Sequence, residues 1–315
     1  MQKEKKIQVG GQAVLEGVMM RSPEFVTVAV RKADGKIVLK KEAYVSWTKK
    51  LKILGWPFIR GGVILIESMV LGIKALNFSA DVAMKEEDKK KEENKKKTGK
   101  ASSNSRTGIA IGFTVVFALA IGLAIFFYIP LLLTELTKIE GSIGFNLIDG
   151  AIRLAFFLGY LLLISQWKEI RRVFEYHGAE HKSIFAYEGD KPLTLKGVRE
   201  YTTHHPRCGT SFLLVVMLVA MLVFICLGRP HDFGDRFIRF LFIPVIGGVS
   251  YEIIRLSGKK YGKRLARILV APGLWLQRIT TKEPDKKQLE VALVALRSAL
   301  NMEIDSNVEI VSAVS

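Results

Sequence analysis

Between residues 24 and 45 apolar and polar positions alternate. Val26, Val28 and Val30 fall on one side of the pattern, and the run is interrupted by the polar turn Ala33-Asp34-Gly35-Lys36. Period-two alternation around such a turn predicts a β-hairpin. Gly10, Gly11 and Gly17 precede it and mark backbone that bends or approaches a neighbour closely. Residues 1–50 are therefore expected to form a small β-rich module.

The period then changes. Residues 51–84 are strongly apolar, yet Arg60, Glu67 and Lys74 recur at a spacing of seven, which puts them on one face of a helix. A helix lying in the headgroup plane suits that charged stripe; a helix packed within a bundle is the alternative. Residues 85–107 carry mixed charge without periodicity and read as a solvated linker or an exposed helix that frays.

Residues 108–257 hold four long apolar runs: Ile109 to Leu133, 145–167, Ser211 to Gly228, and 236–256. Each is long enough to cross the hydrocarbon, although the last carries Arg239, Glu252 and Arg255 and a Pro244 that implies a kink. In residues 258–315 a basic stretch and a Pro272-Gly273 turn lead to Glu283-Pro284-Asp285. Leu289, Leu293 and Leu296 follow at helical spacing, predicting a tail helix packed on the β module. The fold class expected is an α-helical polytopic membrane protein with about four transmembrane helices, a small β-rich cytoplasmic N-terminal module and a C-terminal cytoplasmic helix.

Charge adds orientation. The 315 residues carry a formal net charge of +17, which in a soluble protein would suit nucleic acid. Here the basic residues flank the apolar runs, so the lipid bilayer is the expected partner and nucleic acid is not. The linker before the first run, the loop 168–210 and the segment after the fourth run are rich in Lys and Arg. Four spans place all three on one side, so both termini and the loop are expected to be cytoplasmic, in a multi-pass protein of the cell membrane. No cleavable signal peptide is expected, because the charged N-terminus has no apolar core behind it.

The loop 168–210, whose first part is expected to continue the second apolar helix into the cytoplasm, also concentrates the chemistry. His177 and His181 are one helical turn apart with Glu180 between them, the H-x-x-E-H spacing of inverted zincins. Two imidazoles on one face can grip one cation, and the glutamate can act as general base. At the far end of the loop stand His204, His205 and Cys208. Folding the loop back would let either cluster complete the other's shell around a divalent metal, with zinc the expected ion. The structural alternative has the histidines pairing with carboxylates such as Glu175, and "HHPRCGT" serving as a turn. Accessory candidates are Glu16 as an extra ligand or base, Arg207 for an anionic substrate, and Glu252 as a distant third ligand. His231 is expected to be a solvated external residue, and Cys226 a packing residue.

The segments "VGGQAVLEGVMMRSP", "HGAEHKSIFAYE", "THHPRCGTSF" and "APGLWLQRITTKEPDKKQLEVAL" together resemble the YqhQ-like family of bacterial membrane proteins. That family is described only as predicted metal-dependent enzymes of the cell membrane. The resemblance implies a membrane protein and, by analogy, a metal site; it implies no substrate and no established catalytic residue. The polar motifs match the family's pattern at His177, Glu180, His181, His204, His205 and Cys208. Two functions are expected to compete: a metal-dependent hydrolase acting on a lipid or membrane-protein substrate, and a non-enzymatic membrane scaffold or assembly factor whose His/Cys cluster is structural. A transporter fits less well, since no inverted repeat is visible.

Overall fold

A computed structural model describes residues 6–51, 55–56, 59–95, 117–118, 120–230, 232–259, 264–304 and 308–312. Near the N-terminus, β1 (Gly10–Val14), β2 (Gly17–Arg21), β3 (Phe25–Arg31) and β4 (Ile37–Ala43) form an antiparallel meander. The expected hairpin is β3–β4, closed where Gly35 adopts φ 90°. Glu16 turns β1 into β2 with φ 52°. Gly17 cannot be larger, since a Cβ there would run into the Ala29 carbonyl on the next strand. A fifth strand, β5 (Val308–Ser312), was not foreseen; it pairs in parallel with β4 and completes the order β1-β2-β3-β4-β5.

The sheet is covered on both faces, which explains why β3 is buried nearly throughout rather than alternating in and out. One face meets α1 (Ile59–Lys95): Val14, Met19, Val26, Val28 and Val30 pack with Leu71, Ala75, Phe78 and Val82. The other meets the tail helix α10 (Lys286–Ala299), whose Leu289, Leu293 and Leu296 pack with Val18, Met20, Ala29 and Leu39. The start of α10 is a capping box, Asp285 to the Gln288 backbone and Gln288 back to Asp285.

The stripe on α1 faces protein at its first two positions instead of headgroups. Arg60 holds Glu252 through Nε and Nη2 at 2.8 and 2.7 Å. Glu67 is buried and accepts from the Ser46 hydroxyl and the Trp47 amide. Gly61 lies against Gly248, so the two helices touch backbone to backbone. Lys74 stays exposed. The stretch 60–83 is long and apolar enough to cross a membrane by length and composition, but from Leu71 onward it is docked on the sheet. Residues 85–95, expected as linker or fraying helix, are the end of α1.

Three further stretches have spanning length and composition: α3 (Ser142–Ile164), α6 (Gly209–Leu227), and Gly234–Ser257. The last is interrupted at Phe242 into α7 (Phe233–Leu241) and α8 (Ile243–Lys259), where Pro244 begins the second piece as the expected kink. The first expected span lies partly outside the described residues. Its described part is α2 (Ala120–Leu136), which contains a π-helical turn at Ala124–Tyr128. His231 also lies outside the described residues.

Two expectations about connections are corrected. The second apolar helix does not run on into the histidine segment: the chain leaves helix at Ser165–Trp167, and α4 (Lys168–Glu188) starts afresh with Trp167 extended at its N-cap. Pro272-Gly273 is no turn either. It sits inside α9 (Arg264–Thr280), where Gly273 lets the helix press on Ser211 of α6. The close approach of two helices outweighs the one hydrogen bond that an internal proline forfeits.

Candidate metal centre

Helix α4 is buried from Gly178 to Ile184, an unusual state for a run containing Glu, His and Lys. Its neighbours explain how. Gly178 faces the Lys282 carbonyl so closely that any side chain would collide with it, and the Lys282 amide donates to Phe174 O at 2.9 Å. The chain after α9 is thereby fastened along α4. Lys182 is satisfied by Glu283 at 2.5 Å and, at 3.0 Å, by the carbonyl of Arg199, which ends the short helix α5 (Leu195–Arg199).

On this helix His177 and His181 share a face, with ring centroids 4.4 Å apart. The Nδ1 of His177 lies 2.9 Å from the Thr280 carbonyl, and that of His181 lies 2.5 Å from the Thr203 carbonyl. A carbonyl only accepts, so each Nδ1 carries the proton and each Nε2 presents a lone pair. Cys208, buried at the N-cap of α6, brings Sγ to 3.2 Å from His177 Nε2. The three donor atoms lie within 4.8 Å of one another. One thiol proton thus faces two imidazole lone pairs, an arrangement that a shared cation satisfies and a hydrogen bond satisfies only by half.

Glu180 closes the group. Its Oε2 is 3.9 Å from His177 Nε2 and 4.0 Å from His181 Nε2. Gly11 of β1 covers it: a Cβ there would stand 2.7 Å from Glu180 Cγ, and the Gly11 amide donates to the carboxylate. Burial raises the Glu180 carboxyl above its ordinary value and lowers the His181 imidazole. A neutral imidazole is the form that ligates metal.

A family model described as "Protein of unknown function (DUF1385)" matches residues 56–302, the stretch that contains this group. The chain belongs to that family. It is also 34% identical over 310 residues, 93% of this chain and 92% of the relative, to the "Uncharacterized protein YqhQ" of Bacillus subtilis (strain 168). No solved structure matches. The DUF1385 match starts after the sheet's first four strands, so Gly11 and Glu16 fall outside it while every histidine of the site falls inside.

Several residues singled out in this DUF1385 chain lie outside the trio. His205 is buried beside it, its ring 5.7 Å from that of His181, but its Nε2 points at Glu188 at 3.4 Å. Its backbone is held by Gln277, which accepts from His205 N at 2.7 Å and donates to His205 O at 2.9 Å. His204 has Nδ1 against the Thr202 hydroxyl at 3.2 Å and is not within the group. Adjacent residues in an extended turn point to different sides, so His204 and His205 cannot both join Cys208. Arg207 pairs with the same Glu188. Glu252 is occupied by Arg60, with Arg255 at 3.6 Å, and does not join the trio as a third ligand. Glu16 forms a bidentate pair with Arg172, both bonds 2.5 Å, and lies 3.4 Å from the Tyr176 hydroxyl. The residue of the N-terminal segment that lies against Glu180 is Gly11, not Glu16.

Sequence reasoning missed Gln277, Glu188 and the carbonyls of Thr203 and Thr280. For Gln277 the sequence offers little: it stands beside Arg278 and one turn before Thr280 and Thr281, like any polar residue near a helix end. The carbonyls leave no signal, because every residue has one.

Proposed function

We propose that this protein is an integral protein of the cell membrane carrying a divalent metal, zinc by its donor set, at the cytoplasmic face, and that it is a hydrolase of a membrane-associated substrate. The observation that carries this reading is the pair of Nδ1 anchors, which aim two Nε2 lone pairs at Cys208 Sγ. Two imidazoles and a thiolate are a ligand set that leaves a fourth position open. A cation held there lowers the pKa of water. His177, His181 and Cys208 hold the ion. Glu180, within 4.0 Å of both Nε2 atoms and with its pKa raised by burial, would take the proton as general base. The cytoplasmic placement is supported by the basic flanks of the apolar helices. Membrane placement is supported by all four tryptophans being exposed: Trp47, Trp56, Trp167 and Trp275 suit the belt that such rings form at either interface.

Metal analysis of detergent-purified protein tests the site. Close to one zinc per chain is expected, less than a tenth of that after His177→Ala with His181→Ala, and undiminished zinc after Glu180→Gln. Full metal in the double variant defeats the assignment.

A second reading rests on one observation: the trio, with His181 and Cys208 buried and His177 half-buried, joins three separate places, α4, the start of α6 and, through Thr280, the end of α9. In that reading Glu180 is the fourth ligand, the site is closed and structural, and the protein is a membrane scaffold. Loss of both metal and thermal stability in Glu180→Gln favours it over the hydrolase.

A further inference from the structure

Four arginines, Arg153, Arg229, Arg236 and Arg239, mark the end of the apolar helices near Gly228, all but Arg236 buried or half-buried, and three of the four line one cavity. Arginine at such depth is expensive and calls for an explanation. The cavity, about 350 Å³, lies between α2, α3, α6 and α7. Its walls are apolar and aromatic: Leu123, Phe127, Leu131, Phe224, Phe240 and Ile243. Its charged lining residues are Arg153, Arg236 and Arg239, with no carboxylate among those that line it.

The three guanidinium groups are held in different ways. Arg153 pairs with Asp149 at 2.8 Å and donates to the carbonyls of Phe126 and Phe127, which belong to the π-helical turn of α2. The turn is thereby tied to a charge at the cavity wall, and π turns recur where helices bind ligands. Arg236 meets Glu135 loosely, at 3.4 Å, and is half exposed. Arg239 differs. It is nine-tenths buried, and its contacts are the neutral oxygens of Asn146 at 2.9 Å and Gly228 at 2.5 Å, with the Phe224 ring 4.9 Å away. Among the described residues no carboxylate forms an ion pair with it. Asp149 and Asp235 attract it only from beyond ion-pair distance. A buried cation with no anion in contact is a cost that a bound anion relieves.

We propose that this cavity binds an anionic phospholipid, its phosphate at Arg239 and Arg236 and an acyl chain along Leu123, Phe127 and Leu131. Guanidinium forks match phosphate oxygens, and a mostly apolar cavity of this size with a few convergent polar groups is the form of a site for a molecule with both characters. The apolar walls select a lipid over free phosphate. The proposal rests on the helices being in a membrane and is independent of the metal group. Carbonate extraction of membranes reports the first point separately, because a peripheral protein is released and a spanning one is retained.

The test uses the full chain in dodecyl maltoside, with thermal unfolding followed as phosphatidylglycerol, phosphatidylcholine or inorganic phosphate is added. Phosphatidylglycerol is expected to raise the midpoint, and the other two are not. Leu131→Trp, which fills the cavity from its apolar wall, should remove the shift. Arg236→Gln, at a half-exposed position where folding is not at stake, should weaken the apparent affinity about tenfold, the loss expected for one charge-assisted contact. Equal shifts with phosphatidylcholine, a shift reproduced by inorganic phosphate, or a shift retained in Leu131→Trp each overturn the proposal.

Discussion

The Thr203 carbonyl fixes which nitrogen of His181 carries the proton, and so decides what the other nitrogen can do. The spacing His177, Glu180, His181 is legible from residue identities, and Cys208 is visible as one of three candidates at the far end of the loop. What separates Cys208 from His204 and His205 is side-chain direction in the turn, which no spacing rule records. His205 carries its own prediction. Burial drops its pKa from 6.5 to about 4. The folded state therefore resists protonation that the unfolded chain accepts, so stability is intact above pH 6.5 and declines as pH falls from 6.5 to about 4. The loss is on the order of 3 kcal/mol for a shift of this size. Unfolding of the purified protein across that range should show the decline, and His205→Gln should flatten it. An unchanged slope in His205→Gln assigns the acid sensitivity elsewhere.

At the scale of elements, the local signals held where the partner was a sequence neighbour. Alternation around Gly35 predicted β3–β4, and Glu283-Pro284-Asp285 before the spaced leucines predicted the start of α10. They failed where a remote partner decides. The alternation in Val308-Glu309-Ile310 is a strand only because β4 offers its edge. The seven-residue stripe on α1 looked suited to headgroups until Glu252, Ser46 and Trp47 supplied protein partners. Helix α10 should respond to its two supports separately. Asp285→Ala removes the cap at a cost of about 1 kcal/mol. Leu296→Ala, fully buried between sheet and α4, should cost about 3 kcal/mol. Urea midpoints measured together with proteolysis of the tail would rank them, and a larger effect of the cap would mean that α10 is held by its end instead of its face.

Across the whole molecule, the sheet with α1, α4 and α10 forms one packed body, and the apolar helices α3, α6 and α8 form another cluster of contacts. The trio of donors lies where the two meet, since α4 belongs to the first and the start of α6 to the second. The orientation proposed for this arrangement has a direct check. In a Cys226→Ser background, Glu140→Cys should react with a membrane-impermeant maleimide on intact cells, whereas Lys191→Cys should react only after permeabilisation. The reverse pattern would put the metal centre on the outside.

The parallel pairing of β5 with β4 has a consequence for how the chain is made. The strand that finishes the sheet, and the helix that covers its inner face, leave the ribosome only after every apolar helix has emerged. Until then Val18, Met20 and Leu39 lack the cover of α10, so a product stopped short of it offers quality-control proteases a bare hydrophobic face. Synthesis through α10 is thereby the step that covers this face, and β5 then pairs with the free edge of β4.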